Sequence, residues 1–248
     1  MTDVDDDRLG SAARRLAALG ITRVESYAWR DLDDPDAGGS ELHADEIMRR
    51  WAGAGVAVRH RTSTIDHPRR LHRHDYDVEQ RGGRYGVFAR VAARQLVRRR
   101  PADVATVEIW NGVPWFGPLW APQRRVVWLH HVHRDMWSDV LPWPADAIGR
   151  NVETRLAPPL YRNSRFATLS ASSAEEIAGL GIDPARIAVI PPGVDERFRP
   201  APAVRCEHPH VVIVGRLAPV KRHVDVLDAL DAARERVPEI TVDLVGDG

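Results

Sequence analysis

Apolar positions recur at helical spacing along residues 8–19, at Leu9, Ala12, Ala13, Leu16 and Leu19, and predict a short amphipathic helix. Residues 23–28 read as a strand. A loop rich in Asp, Pro and Gly follows and ends at Asp36-Ala37-Gly38-Gly39. Ser40 opens a helix carrying Leu42, Ile47 and Trp51, which Gly53 and Gly55 end. Residues 56–60 form the next strand. Residues 63–75 are basic and irregular. Within residues 78–88, Arg81-Gly82-Gly83-Arg84 predicts a tight turn between two short extended pieces. Residues 87–100 read as helical, 104–110 and 126–129 as strands. Residues 145–161 are helical, with Pro158-Pro159 breaking or kinking the helix. A strand at 167–169, a helix from about residue 172 and a strand at 187–190 complete this half.

Strand and helix alternate throughout, which argues for an α/β fold with a doubly wound parallel sheet. Residues 1–20 form a helical extension and residues 21–199 the first Rossmann-like domain. The proline-rich run leads into a linker at 200–209. The pattern then restarts at 210–248, with strands at 211–214 and 242–245 around a helix at 224–236. Both strands but for Asp243 are apolar on both faces, as buried parallel strands are, and one helix covers them. An apolar face and a sheet edge are therefore expected to be exposed there.

Apolar residues make up 44% of the 248, enough for a sizeable core. Lys+Arg and Asp+Glu both number 35, so no net charge draws the chain to nucleic acid. The single cysteine, Cys206, excludes an internal disulfide and argues against a cysteine zinc site. An acidic start and the lack of a long apolar run point to a cytoplasmic protein. All basic residues but Lys221 are arginine, so that lysine marks a position where arginine does not serve.

Open parallel sheets bind ligands at the carboxyl ends of their strands, and three clusters fall there. Gly38-Gly39-Ser40-Glu41 opens a helix, where glycines admit a ligand to the backbone and free N–H groups attract phosphate or sugar oxygens. A plain strand-to-helix turn is the other reading. Neither G-x-G-x-x-G nor a P-loop is present, so a nicotinamide or flavin loses its main support. His130-His131-Val132-His133 follows a strand. Hydrogen bonding to sugar hydroxyls fits it better than zinc, which wants a helical ligand pair, and solvated loop histidines remain an alternative. Gly215-Arg216-Leu217-Ala218-Pro219-Val220-Lys221 brings two cations to a helix start and suits a diphosphate. Ser170 reads first as a helix cap. The aromatic run from Trp115 to Trp120 reads as packing. Arg69-Arg70 with His72 and His74, and Arg98-Arg99-Arg100, read as solvated charge, with a weak membrane-surface contact as the alternative.

Four segments in order resemble the landmarks of the retaining GT-B glycosyltransferases of family four. They are Pro35 to Glu41, Leu169 to Ser173, Val189 to Asp195 and Val214 to Lys221. The resemblance implies two Rossmann-like domains facing a cleft and transfer of a hexose from a nucleoside diphosphate sugar with retention. Arg216 and Lys221 would hold the donor diphosphate. Gly38 and Gly39 would face the donor, with His133, Ser170 and Gly215 also in the cleft. His131 would sit near the transferred sugar as the catalytic candidate, with His130 as the alternative register. No cofactor or metal is implied beyond the nucleotide-sugar co-substrate. The acceptor is a glycan, lipid or small molecule, with action in the cytoplasm or at the inner membrane face.

The family's E-x7-E stretch is not reached by residue 248, so this chain alone is expected to lack part of the active site and not to turn over. A nucleotide-sugar epimerase of the same fold and a non-catalytic nucleotide- or glycan-binding fragment are the rival readings. Because the histidine cluster lacks a helical pair, sugar transfer by the full-length protein is expected to survive EDTA. Stoichiometric zinc in the purified protein, by elemental analysis, would overturn the sugar-binding assignment of these histidines.

Overall fold

The computed structural model describes residues 3–97, 100–195, 197–200 and 206–247. The chain divides into two compact units, Met1–Arg134 with Pro144–Pro192, and Asp135–Trp143 with Gly193–Gly248. Residues 201–205 of the 200–209 linker, and Arg98 and Arg99, lie outside the described residues.

The first unit opens with α1 (Asp3–Ala18), β1 (Arg23–Tyr27), α2 (Gly39–Gly53) and β2 (Ala57–Thr62). Next come β3 (Arg69–Arg73), β4 (Tyr76–Gln80), α3 (Gly86–Leu96), β5 (Val104–Trp110) and β6 (Arg125–Leu129). The second unit supplies α4 (Trp137–Val140). The first resumes with α5 (Ala145–Asn151), α6 (Ala157–Tyr161), β7 (Arg165–Thr168), α7 (Ala171–Gly179) and β8 (Ile187–Val189). The eight strands form one sheet in the order β3-β4-β2-β1-β5-β6-β7-β8, parallel except for β3. The order reverses beside β1: the chain moves outward through β2 and β4, then returns to β5 on the other side. Loops leaving β1 and β5 therefore diverge at the carboxyl edge, the place where open parallel sheets take ligands.

Helices cover both faces because side chains alternate along each strand. On one face Val24, Val58, Val107, Ile109 and Trp128 pack with Ala44 and Met48 of α2. On the other, Trp110, Val127, Leu129 and Phe166 meet Tyr161 of α6 and Ile177 of α7, while Tyr27 packs with Val87 of α3, Trp115 and Trp120.

Four expectations need correction. The stretch at 63–75 contains β3, which pairs antiparallel with β4 through a His74–Asp75 turn, both residues at positive φ. That geometry is usually signalled by Asn-Gly, so His-Asp concealed the hairpin. Only one extended piece, β4, flanks the glycine pair; the chain then turns into α3. Its loop bonds sideways, Thr64 donating to the Gly82 carbonyl and the Trp29 indole to the Arg84 carbonyl. The helix at 145–161 is not broken at its prolines; it widens before them into a π segment, Val152–Leu156, with Ala157 N–H bonded to the Val152 carbonyl, and runs on to Tyr161. Pro158 and Pro159 have no N–H to give the preceding turn, so the looser ladder costs little there. Arg100 is not solvated charge: it is mostly buried, 3.9 Å from Glu25.

Buried ionic groups tie the strands together. Glu108, fully buried on β5, takes Arg125 of β6 at 3.2 Å and the Tyr161 hydroxyl at 2.7 Å. Burial raises the Glu108 pKa, and Arg125 and Tyr161 oppose that rise. Arg61 of β2 bridges Glu25 of β1 and Glu79 of β4.

In the second unit β9 (His210–Val214), α8 (His223–Arg234) and β10 (Thr241–Val245) form a βαβ unit, with β9 and β10 parallel. As the apolar pattern led one to expect, Val212 (54%), Val214 (78%) and Val245 (50%) are exposed. Among the described residues no helix is long and apolar enough to cross a membrane.

Gly117 donates its N–H to the Tyr161 hydroxyl, and a β-carbon there would overlap the Glu108 carboxylate. Gly117→Ala should cost about 1–3 kcal/mol or more, as overpacking does. An unchanged urea midpoint would show that the carboxylate moves aside freely.

Candidate active site

The carboxyl edge of the first sheet is built from polar loops held rigidly. After β1, the Asp-rich loop is locked to the β3–β4 hairpin. Arg73 grips both oxygens of Asp31 at 3.0 Å, Arg69 reaches Asp33 at 2.8 Å and Arg84 reaches Asp34 at 2.9 Å. The loop delivers Gly38 and Gly39 to the start of α2. Gly38 is extended and is the N-cap residue; its N–H donates to Glu41 at 2.8 Å. The other carboxylate oxygen of Glu41 takes Arg30 at 3.3 Å. A β-carbon added at Gly39 would meet nothing within 4 Å, so the backbone there is open to approach.

The loop after β6 carries the histidines, and two glutamates from later helices hold it. Glu153 of the π segment is fully buried and accepts the N–H groups of His133 at 2.9 Å and Arg134 at 3.0 Å. Glu176 of α7 accepts the Val132 N–H at 3.3 Å. The histidines separate into two pairs. His130 lies beside His43 of α2 and Trp128, with ring centroids 5.8 and 5.5 Å away. His131 stacks on His133 at 4.7 Å.

Burial, with His43 and His131 as neighbours, pushes the His130 imidazole down to about 4. Burial lowers His131 and His43 as well, and His133 adds to the effect on His131. Neutral imidazoles donate one hydrogen bond and accept one, which suits hydroxyls. Both ring nitrogens of His130, Nε2 of His131 and Nδ1 of His43 are buried without a hydrogen-bond partner among the described residues. Buried polar atoms are normally paired, so this concentration of exceptions sets the loop apart. Among the described residues no group of three His, Cys, Asp or Glu side chains could hold a metal ion.

Ser170 caps α7, its hydroxyl accepting the Ser173 N–H at 3.2 Å and contacting the Ser172 and Ser173 hydroxyls. Gly38, Gly39, His130, His131, His133 and Ser170 thus all leave the same edge of one sheet. His130 is the histidine placed toward the start of α2, through His43 and the charge of Glu41. His43, Glu153 and Glu176 were missed from the sequence, and Glu41 was noted only as part of the motif that opens the helix. Glu41 three residues past the N-cap supplies one half of a capping box, and that spacing could have revealed its role; Gly38 has no side chain to supply the other half. Nothing local marks Glu153, whose partners lie some twenty residues earlier.

Gly215, Arg216 and Lys221 belong to the second unit and share the loop from β9 to α8. The Gly215 N–H bonds to the Val245 carbonyl and the Leu217 N–H to the Asp247 carbonyl, fixing the loop on β10. A 3-10 turn at Pro219–Lys221 and a left-handed Arg222 lead into α8. The Arg216 and Lys221 side chains are exposed, and among the described residues neither has an ion-pair partner. Arg222 instead pairs with Asp225.

A model of Glycosyltransferase Family 4 matches residues 37–198. The GDP-mannose-dependent alpha-(1-6)-phosphatidylinositol monomannoside mannosyltransferase of Mycolicibacterium smegmatis is 30% identical over 241 residues, 86% of this chain. The chain spans 58% of that relative's length. Among solved structures, Anabaena Alr3699/HepE in complex with UDP and glucose matches 92% of this chain and 61% of its own, with a TM-score of 0.56 and 17% identity. The catalytic domain of Starch Synthase IV from Arabidopsis thaliana, bound to ADP and acarbose, matches 91% of this chain and 68% of its own, with a TM-score of 0.56 and 14% identity. At such identities these two show the GT-B fold alone.

The His130 environment has a pH consequence. Its ordinary value of 6.5 holds in the unfolded chain, against about 4 when folded. The unfolded state therefore binds the extra proton first. The stability tied to a neutral His130 is complete above about 6.5 and is lost as pH falls toward 4. His130→Leu should flatten that part of the stability profile. An imidazole NMR titration with a midpoint near 6.5 would contradict the burial argument.

Proposed function

The chain belongs to glycosyltransferase family 4, and on that footing we propose that it transfers a hexosyl group from a nucleoside diphosphate sugar to an acceptor, with retention at the anomeric carbon. The observation that carries this reading is the β9–α8 loop. It presents two exposed cations without ion-pair partners among the described residues, on a backbone tied to the neighbouring strand. Breaking the glycosidic bond leaves negative charge on the diphosphate and positive charge on the sugar. Arg216 as a planar fork and Lys221 as a point charge stabilise the first. Neutral imidazoles of the β6 loop suit the second, since they orient sugar hydroxyls without adding positive charge. His131 is proposed as the group nearest the transferred sugar, with His130 the alternative. The reaction so read needs no metal or other cofactor.

The named donors of similar proteins support the donor class. The mycobacterial relative is GDP-mannose-dependent, and an Anabaena Alr3699/HepE structure holds UDP-glucose. That relative acts on a lipid-borne mannoside, and an acceptor of that kind would bring this protein to the inner face of a membrane.

Lys221→Ala should weaken the apparent affinity for the nucleoside diphosphate sugar and slow transfer together. Loss of a charge-assisted phosphate contact costs about 1.5–3 kcal/mol, or about tenfold to a hundredfold. Lys221→Arg should recover little of the loss. Donor kinetics identical to wild type in Lys221→Ala would remove this residue from the site.

A further inference from the structure

The loop that carries Arg216 and Lys221 is tied to α8 by a histidine. His223, the first residue of α8, turns back and places its Nε2 3.0 Å from the Arg216 carbonyl oxygen. A carbonyl only accepts, so that nitrogen carries the proton and the neutral ring is the Nε2–H tautomer. Its Nδ1 is buried without a hydrogen-bond partner among the described residues. Arg222 makes the turn, at a φ of 52°, a left-handed backbone that residues other than glycine seldom adopt. The Lys221 N–H to the Ala218 carbonyl and the Arg222 N–H to the Pro219 carbonyl, both 2.9 Å, hold that turn.

The peptide planes on either side of Arg216 are both held. Ahead of it, the Gly215 carbonyl lies against Gly246, where a β-carbon would overlap it. After it, the Leu217 N–H donates to the Asp247 carbonyl at 2.7 Å, and the Arg216 carbonyl accepts the Ala218 N–H at 2.9 Å as well as His223. The Ala218 bond closes a tight turn within the loop and moves with it. The His223 bond ties the same carbonyl to the helix. Fixing both planes fixes φ and ψ of Arg216, the two soft angles that decide where its side chain leaves the backbone. That side chain is exposed, so its direction depends on the backbone and not on packing. Lys221 sits in the 3-10 turn, apart from this clamp.

We propose that His223 is a positioning residue of the diphosphate site: by donating Nε2–H to the Arg216 carbonyl it holds the Arg216 guanidinium in the direction a diphosphate requires. The proposal rests on the diphosphate reading of this loop. A cation aimed before the ligand arrives spares the cost of ordering it on binding, and that saving is what His223 contributes. Its effect therefore passes through Arg216 and not through Lys221.

The test titrates the whole chain with GDP and with UDP, reading the Kd from amide shifts. His223→Leu removes the donor and should weaken nucleotide binding about threefold to tenfold, the scale of one hydrogen bond. A glutamine amide N–H reaches the place of Nε2, and an asparagine amide that of Nδ1. His223→Gln should therefore recover most of the loss, and His223→Asn should not. In an Arg216→Ala background, His223→Leu should cost less than about twofold more, because the residue it positions is gone; in a Lys221→Ala background its effect should be undiminished. Nitrogen–proton correlation spectra of the wild-type ring should place the proton on Nε2. If His223→Leu does not fold, judged by its urea midpoint, the comparison of Gln with Asn and the ring spectra decide the matter. A proton on Nδ1, equal losses in the Gln and Asn variants, or a full effect of His223→Leu without Arg216 overturns the proposal. Should Arg216→Ala weaken binding and His223→Leu leave it unchanged, the diphosphate reading stands and the positioning role falls. Wild type that binds neither nucleotide removes the diphosphate reading itself, and the role with it.

Discussion

Seven strands of the first unit run in one direction, and that constraint shapes everything around them. Parallel neighbours cannot be joined by tight turns, so the chain returns across a face of the sheet, most often through a helix, or, between β2 and β4, along the antiparallel edge strand β3. Both faces are thereby covered, by α2 on one side and α3, α6 and α7 on the other. The loops leaving the strands all emerge at one edge. Because strand order reverses beside β1, the loops after β1 and β5 part there. The Gly38-Gly39 turn, the histidine loop and the Ser170 cap all lie on this edge for that reason alone.

Loops so placed would be mobile without anchors, and the anchors are buried carboxylates. Glu153 takes two backbone N–H groups of the histidine loop, and Glu41 takes one at the start of α2. Glu108 joins β5, β6 and α6 and restricts residue 117 to glycine. Such groups add little net stability compared with apolar packing, but removing one partner strands the other without water. They fix geometry more than they deepen the fold. The π segment belongs to the same design, since Glu153 projects from the widened turn just before the paired prolines.

The two units of this family 4 chain handle charge in opposite ways. In the first, the arginines near the site are committed to aspartates, and the nearby imidazoles are held neutral by burial. In the second, Arg216 and Lys221 stand exposed and uncommitted to any described partner. On the proposed reaction, an anionic leaving group and an uncharged sugar would call for these two kinds of surface.

The sequence by itself determined the α/β class, the extents of most strands and the place of each loop that carries chemistry. Residues 104–110 and the helix after Gly38-Gly39 were legible because apolar period and glycine punctuation are local signals. The β3–β4 hairpin was not, because all but Leu71 of the residues from Arg69 to Arg73 are polar, kept in a strand by pairing with β4 and by the aspartates at 31 and 33. Nor could the sequence divide three adjacent histidines between two environments. Their separation into His130 beside His43 and His131 on His133 follows from strand alternation and from two glutamates far along the chain. Periodicity tells which face a residue takes; only tertiary packing decides which distant partner waits there, and so which groups stay free to bind.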